Sequence, residues 1–272
     1  MNKQVLLIND IAGYGKVALS AMIPVMSHMG SNIHNLPTAV VSNNLEYGKF
    51  DILDTTDYMK RTLAIWAELG FRFDAVATGF IVNEEQVEII SDFCHEQSKK
   101  GTVILCDPIM GDEGHLYPGI PEETIENMRN LISCSDYVVP NYTEAALLTN
   151  RACKSNFSEN EIRTIIDDLR SLGAKSVVIT STTINNEKMI ACYDHISDKY
   201  FTVPYENVET NFPGTGDIFA SVLLGSIMNG KTLQESVTRA AKTVRLMILK
   251  SLKTDDRLRG IDIENCWEEI GA

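Results

Sequence analysis

Short apolar runs alternate with longer amphipathic stretches through most of this chain. The runs predict strands at Gln4–Asn9, Asp74–Phe80, Val103–Asp107, Tyr137–Val139, Ser176–Thr180, Met189–Tyr193 and Tyr200–Val203. The amphipathic stretches predict helices at Ala18–Met29, Thr56–Leu69, Glu84–Lys100, Pro121–Leu131, Glu159–Leu172, Gly214–Met228 and Leu233–Lys250. Strands alternating with helices of about 10–15 residues imply βαβ units and a mainly parallel sheet, hence an α/β fold. Val103–Cys106 and Val177–Ile179 are apolar at every position, as strands covered on both faces must be. The pair near Met189 and Tyr200, joined by Asp194–Asp198, reads as an antiparallel hairpin at a sheet edge. No Pro/Ser-rich linker interrupts the pattern, so a single domain over 1–272 is expected.

Composition narrows the partners. The chain carries 24 basic and 37 acidic residues, a net charge of −13, and no dense Lys/Arg run. DNA, RNA and anionic membranes are therefore poor partners. A small-molecule substrate suits the chain better, and a negative protein that handles nucleotides needs Mg²⁺ and local amide donors for the phosphates. No run approaches the roughly 18 apolar residues of a membrane helix, and the N-terminal run is too short for a signal peptide. The six cysteines are dispersed without a C-x-x-C pair, which favours free thiols and a cytoplasmic location.

The chemistry concentrates in Asn211-Phe-Pro-Gly-Thr-Gly-Asp217, which leads into an apolar helical run. The first turn of a helix presents unpaired N–H groups and the positive end of the dipole, which together attract anions. Gly214, Thr215 and Gly216 would let a phosphate approach the backbone closely. Asp217 just inside that turn would be repelled by a bound phosphate unless it takes the proton of the attacking hydroxyl. The plainer alternative is ordinary helix punctuation, with an acidic residue favoured by the dipole.

In open parallel sheets, ligands bind beyond the carboxyl ends of the strands. Asn9-Asp10, Thr78-Gly79-Phe80, Asp107-Pro108, Pro140-Asn141 and Thr180-Ser181 all fall there. Gly13-Tyr-Gly15-Lys-Val-Ala18 formally fits a dinucleotide fingerprint, which needs an acidic residue about twenty positions later. None occurs between Asp10 and Glu46, and Lys16-Val17 does not complete a P-loop. Asn141-Tyr-Thr-Glu144 reads equally as a capping box or as a Mg²⁺-ordering carboxylate. Asp107 is either a turn-former before Pro108 or a metal-positioning group, and Gly111–Gly119 has the hinge residues of a lid. No H-E-x-x-H or G-x-S-x-G occurs.

Taken together, these segments resemble the pyridoxal kinase family of the ribokinase-like superfamily, from about Val5 to Leu249. Gly214-Thr-Gly-Asp217 is shared across that superfamily. The narrower match is Thr38-Ala-Val-Val-Ser42-Asn43, followed by Tyr47-Gly48, supported by Cys106–Asp112 and Pro140–Glu144. The resemblance implies a three-layer α/β/α sandwich and ATP-dependent phosphorylation of the 5′-hydroxymethyl group of vitamin B6. It implies Asp217 as general base and Gly214–Gly216 as the anion hole. Asn9, Thr38, Ser42 and Phe80 would surround the pyridine ring. Asp107, Asp112, Tyr117, Asn141, Thr180 and Ser181 would serve ATP, with Glu144 and Asp107 managing Mg²⁺. A homodimer is implied too, and a monovalent cation such as K⁺ is a further candidate. Asn9 and Phe80 stand where many members have Ser and Tyr, and Asn44-Leu45 where many have His-Thr, which bears on vitamer preference. Hydroxymethylpyrimidine kinase and a non-catalytic ligand-binding relative are the rival readings.

Overall fold

The computed structural model describes residues 2–117, 120–154 and 156–271. Two compact units emerge, Met1–Val82 with Asn207–Ala272, and Asn83–Glu206. The chain opens the first unit with β1 (Gln4–Ala12), α1 (Leu19–His28), β2 (Asn32–Val41), β3 (Ile52–Asp54), α2 (Thr56–Leu69) and β4 (Ala75–Thr78). The second unit holds α3 (Glu84–Lys99), β5 (Val103–Cys106), β6 (Gly111–Asp112), β7 (His115–Leu116), α4 (Glu123–Ile132) and β8 (Tyr137–Val138). It continues with α5 (Tyr142–Leu148), α6 (Glu159–Ser171), β9 (Ser176–Ile184), β10 (Glu187–Asp194) and β11 (Lys199–Pro204). The chain then returns to the first unit for α7 (Thr215–Met228), α8 (Leu233–Ser251) and α9 (Trp267–Gly271).

In the first unit the strand order is β4-β1-β2-β3. β1 is parallel to both β4 and β2, while β3 runs antiparallel to β2. Val5, Leu6, Leu7 and Ile8 are all fully buried, so apolar layers cover both faces of β1. In the second unit the order is β11-β10-β9-β8-β5. β5, β8 and β9 are parallel, and β10 and β11 close the edge as the expected antiparallel hairpin. The mainly parallel α/β reading therefore holds.

Two predicted strands are longer than their apolar runs. β1 continues through Asp10 to Ala12, and β9 continues past Thr180 to Ile184. Both carry irregular pairing where they lengthen. Asn9 pairs with Pro37 but Ile11 with Val40, so β2 holds an extra residue around Thr38. Met189 pairs with Thr182 but Ala191 with Ile179, so β9 holds one around Thr180–Ser181, where Ser181 takes φ 58°. Such bulges twist a strand and re-aim its side chains, and here they fall on sequence-predicted site residues.

β2 itself was not predicted, because Asn32, His34, Asn35 and Pro37 break its apolar pattern. α5 was missed because it has only seven residues. All six cysteines are free thiols, five of them buried. Among the described residues no helix is long and apolar enough to cross a membrane. Leu7 fills the centre of the first unit, so Leu7→Ala should cost about 2–5 kcal/mol of stability through lost burial and a residual cavity. Urea denaturation would register this as a lower midpoint at unchanged slope.

Candidate active site

α7 is apolar around its whole circumference and packs against α1 and α8, so its first turn is held on a rigid core element. Gly214 caps it at φ 82°, and a Cβ there would meet the Lys16 carbonyl oxygen at 2.3 Å. Only glycine fits on both counts. A Cβ at Gly216, by contrast, would meet nothing within 4 Å, so open space lies over that backbone. The N–H groups of this first turn are available to an anion there, as in any helix start.

Asp217 is gripped from two other elements. The Asn9 amide in β1 donates from Nδ2 to Oδ1 at 3.1 Å, and the backbone N–H of Ala18 donates to Oδ2 at 2.8 Å. Ala18 adopts φ 48°, ψ −134°, a strained conformation for a residue with a side chain, at the start of α1. Burial pushes the Asp217 carboxyl up to about 6, while these two hydrogen bonds hold it down. Asp10 is pushed up further, to about 7, by burial first and then by the Asp217 charge.

Asn9 also organises the rest of this half. Its Oδ1 accepts from the backbone N–H of Phe80 at 2.8 Å and from that of Asp10 at 3.0 Å. Thr38 Oγ1 donates to the Phe80 carbonyl at 2.8 Å. Thr38, Phe80, Asn9 and Asp217 thus form one continuous bonded chain. Gly79 makes room for it, because a Cβ there would lie 2.4 Å from Asn9 Nδ2. Ser42 stands apart from this chain: it is exposed, donates to Asn43 Oδ1 at 2.7 Å and accepts from the Asp51 N–H at 2.8 Å. Ala18 and Gly79 were not among the predicted site residues. Their only sequence signal was position, in a glycine-bearing loop and at a strand end.

In the second unit, Glu144 is the centre. Its two oxygens accept from backbone N–H groups of Met110 (3.1 Å) and Asn141 (2.8 Å). Asn141 Oδ1 returns a bond from the Glu144 N–H at 2.9 Å, completing a capping box at the start of α5. The capping reading of Asn141-Tyr-Thr-Glu144 is therefore realised. Asn141 Nδ2 also donates to the Gly111 carbonyl at 2.7 Å, tying the start of α5 to β6. Burial lifts Glu144 to about 8, opposed by the N–H groups of Asn141, Met110 and Gly111.

The remaining residues expected to serve ATP lie in the same unit. Asp107 is half-buried just beyond β5, and its carbonyl accepts from Ile109. Asp112 lies on β6, accepts from the Glu113 N–H at 2.8 Å and is raised by burial. Tyr117 is 43% exposed, with its backbone N–H on the Met110 carbonyl. Thr180 bridges to Asn141 through the Pro140 carbonyl, and Ser181 is exposed at the bulge. Pro118 and Gly119 of the predicted lid lie outside the described residues.

No group of three or more His, Cys, Asp or Glu able to hold a metal ion occurs among the described residues. Mg²⁺ needs no such cage, since it is usually held by one or two carboxylates with waters and phosphate oxygens. Asp107 and Glu144 are oxygen donors of this kind in one unit; the Glu144 oxygens are already engaged by the Met110 and Asn141 N–H groups, so Glu144 suits a role through water.

The mainly parallel α/β scaffold is that of a kinase of the ribokinase-like fold. The chain belongs to the phosphomethylpyrimidine kinase family, whose model matches residues 19–261. It is 26% identical over 241 residues to pyridoxal kinase of Dictyostelium discoideum, covering 83% of this chain and 78% of that protein. A crystal structure of a candidate phosphomethylpyrimidine kinase from Bacteroides thetaiotaomicron, with pyridoxal, superposes with TM-score 0.95 at 32% identity. That match covers 100% of this chain and 96% of the other. Pyridoxal kinase from Lactobacillus plantarum matches with TM-score 0.88 at 25% identity, over 98% and 96% of the two chains.

The electrostatics carry a stability signature. Asp217 is harder to ionise folded than unfolded, so its contribution favours the fold at low pH and is lost as pH rises from about 4 through about 6. Asp217→Asn removes this burden and should raise the melting temperature at pH 8 more than at pH 5. Thermal melts of the two proteins at both pH values test this, and an equal shift at the two pH values would contradict it.

Proposed function

We propose that this kinase transfers the γ-phosphoryl group of ATP to the 5′-hydroxymethyl group of vitamin B6 vitamers, the whole chain serving as one kinase domain. The observation that carries the reading is the carboxylate of Asp217 at the start of α7, held by Asn9 and Ala18 with its pKa moved toward neutrality. A base at about 6 is largely ionised at neutral pH yet still basic enough to accept a proton in the transition state. The family membership and the pyridoxal kinases among the relatives support the substrate class.

In this reading Asp217 takes the proton of the 5′-hydroxyl as its oxygen attacks phosphorus. The N–H groups of Gly214–Gly216 stabilise the charge that develops on the transferred phosphoryl oxygens. Phosphoryl transfer asks the protein mainly for position and charge, so the rigid seat of α7 matters as much as the base. Thr38, Phe80 and Asn9 shape the acceptor side, with Ser42 at its rim. Asp107, Asp112, Tyr117, Asn141, Thr180 and Ser181 serve the nucleotide. Bound Mg²⁺ would neutralise charge between the donor phosphates. Asp107 would hold it directly, and Glu144, whose oxygens are engaged by backbone donors, would act through ordered water. A cytoplasmic homodimer completes the proposal, with K⁺ a candidate activator.

ATP consumption with Mg²⁺ should be compared on pyridoxal, pyridoxamine, pyridoxine and hydroxymethylpyrimidine. Turnover on a B6 vitamer is expected; turnover on the pyrimidine alone would shift the assignment to thiamine synthesis, keeping the mechanism. Asp217→Asn should lower kcat by roughly 100- to 10,000-fold with a smaller change in KM. The wild-type kcat should also fall as pH drops below about 6, as Asp217 takes up its proton.

A further inference from the structure

We propose that Asp256 is a positioning residue for the base: it latches the segment after α8 against the loop that carries Ala18, and so sets where the Ala18 N–H meets Asp217. The inference rests on the kinase reading above and adds to it a residue outside the bonded chain of Thr38, Phe80, Asn9 and Asp217.

Two phenols of the first unit converge on one carboxylate. Tyr47 Oη donates to Asp256 Oδ2, and Tyr14 Oη donates to the same oxygen at 3.3 Å, with the two rings 5.9 Å apart. Hydroxyls on a carboxylate make charge-assisted bonds, roughly twice as strong as neutral ones, so this is a strong hold for a half-buried loop residue. Asn44 joins the same three stretches of chain. Its backbone N–H donates to the Tyr14 carbonyl at 3.0 Å, and its Nδ2 donates to the Leu258 carbonyl at 2.8 Å. The Tyr14 loop, the Asn44–Tyr47 turn and the segment after α8 are thus fastened together.

The residues just past Asp256 touch both sides of the base. On one side, the Arg259 carbonyl accepts from the Lys16 N–H at 2.6 Å, and a Cβ on Gly260 would lie 2.8 Å from the Lys16 carbonyl oxygen. Two residues further on, Ala18 holds φ 48° and donates to Asp217 Oδ2 at 2.8 Å. On the other side, the same Cβ would lie 3.0 Å from the Pro213 carbonyl oxygen, and Arg257 Nη1 donates to Thr210 Oγ1 at 3.0 Å. Pro213 leads directly into Gly214, the cap of α7. Residues 257–260 therefore brace the donor loop against the start of the helix that bears Asp217. A strained residue such as Ala18 keeps its conformation only where its surroundings over-determine it. Backbone contacts at Lys16 supply part of that restraint, and the Asp256 latch keeps the brace itself in register.

Steady-state kinetics of the full chain with ATP, Mg²⁺ and pyridoxal test this. Asp256→Ala should lower kcat by roughly 10- to 100-fold, the scale expected when a reacting group shifts by about an ångström or less. KM for both substrates should stay within about twofold, since ground-state binding is untouched. Tyr14→Phe combined with Tyr47→Phe removes only two hydroxyls and should give a similar loss; it decides the matter if Asp256→Ala does not fold. Repeating the substitutions in Asp217→Asn separates positioning from a merely structural hold. There the loss should vanish, because Asp256 acts through Asp217 and effects on one catalytic unit do not add. A kcat unchanged in the variants, a loss expressed in KM, or a loss of equal size in the Asp217→Asn background overturns the role of Asp256 and leaves the kinase assignment standing. Absence of wild-type turnover on every vitamer overturns the kinase assignment itself.

Discussion

A carboxylate withdrawn from water is the constraint around which the first unit is arranged. Asp217 cannot be left bare beside a helix core, and a strong cation would hold its pKa too low for a base. The structure meets both demands with dipoles: one side-chain amide from Asn9 and one backbone N–H from Ala18. Two neutral donors keep the group ionisable while leaving burial free to raise its pKa to about 6. A lysine in place of Asn9 would pair with the carboxylate and abolish that balance.

The donors are expensive to position, and the backbone geometry around them follows. The Ala18 N–H reaches Asp217 only because Ala18 accepts a positive φ. Lys16, two residues earlier, presses its carbonyl against Gly214 and Gly260 so closely that neither could bear a side chain. Asn9 can lie across to Asp217 only because Gly79 on the neighbouring strand lacks a Cβ. Strain at Ala18 and these tight glycine contacts thus share one cause, the fixing of a single carboxylate by uncharged partners. The second unit solves a related problem in the same currency, with Glu144 held by backbone N–H groups alone.

This logic explains what was legible in the sequence. Asp217, with its glycines, could be read because the anion-binding helix start is a local property of consecutive residues. The parallel sheet could be read because Val5–Ile8 and Val177–Ile179 are apolar without interruption. Ala18 and Gly79 could not, since each matters through a partner 199 residues away or on the neighbouring strand, and neither type announces a function. β2 was hidden for a similar reason. Its polar residues and Pro37 spoil the apolar period, and only pairing with β1 shows why they are tolerated. Glu144 was legible as a residue but ambiguous as a role, because a capping box and a metal-ordering carboxylate have the same spelling.

Asp10 shows the other side of the same constraint. Neutral donors suffice for one buried carboxylate: Asn9 Nδ2 donates one hydrogen to Asp217 and the other to Met22 Sδ. Asp10, next along β1, has its own backbone N–H as donor, and burial with the Asp217 charge raises it to about 7. If Asp10 had only to fold, Asn or Ser at that position would be more stable, because neither carries a charge to desolvate.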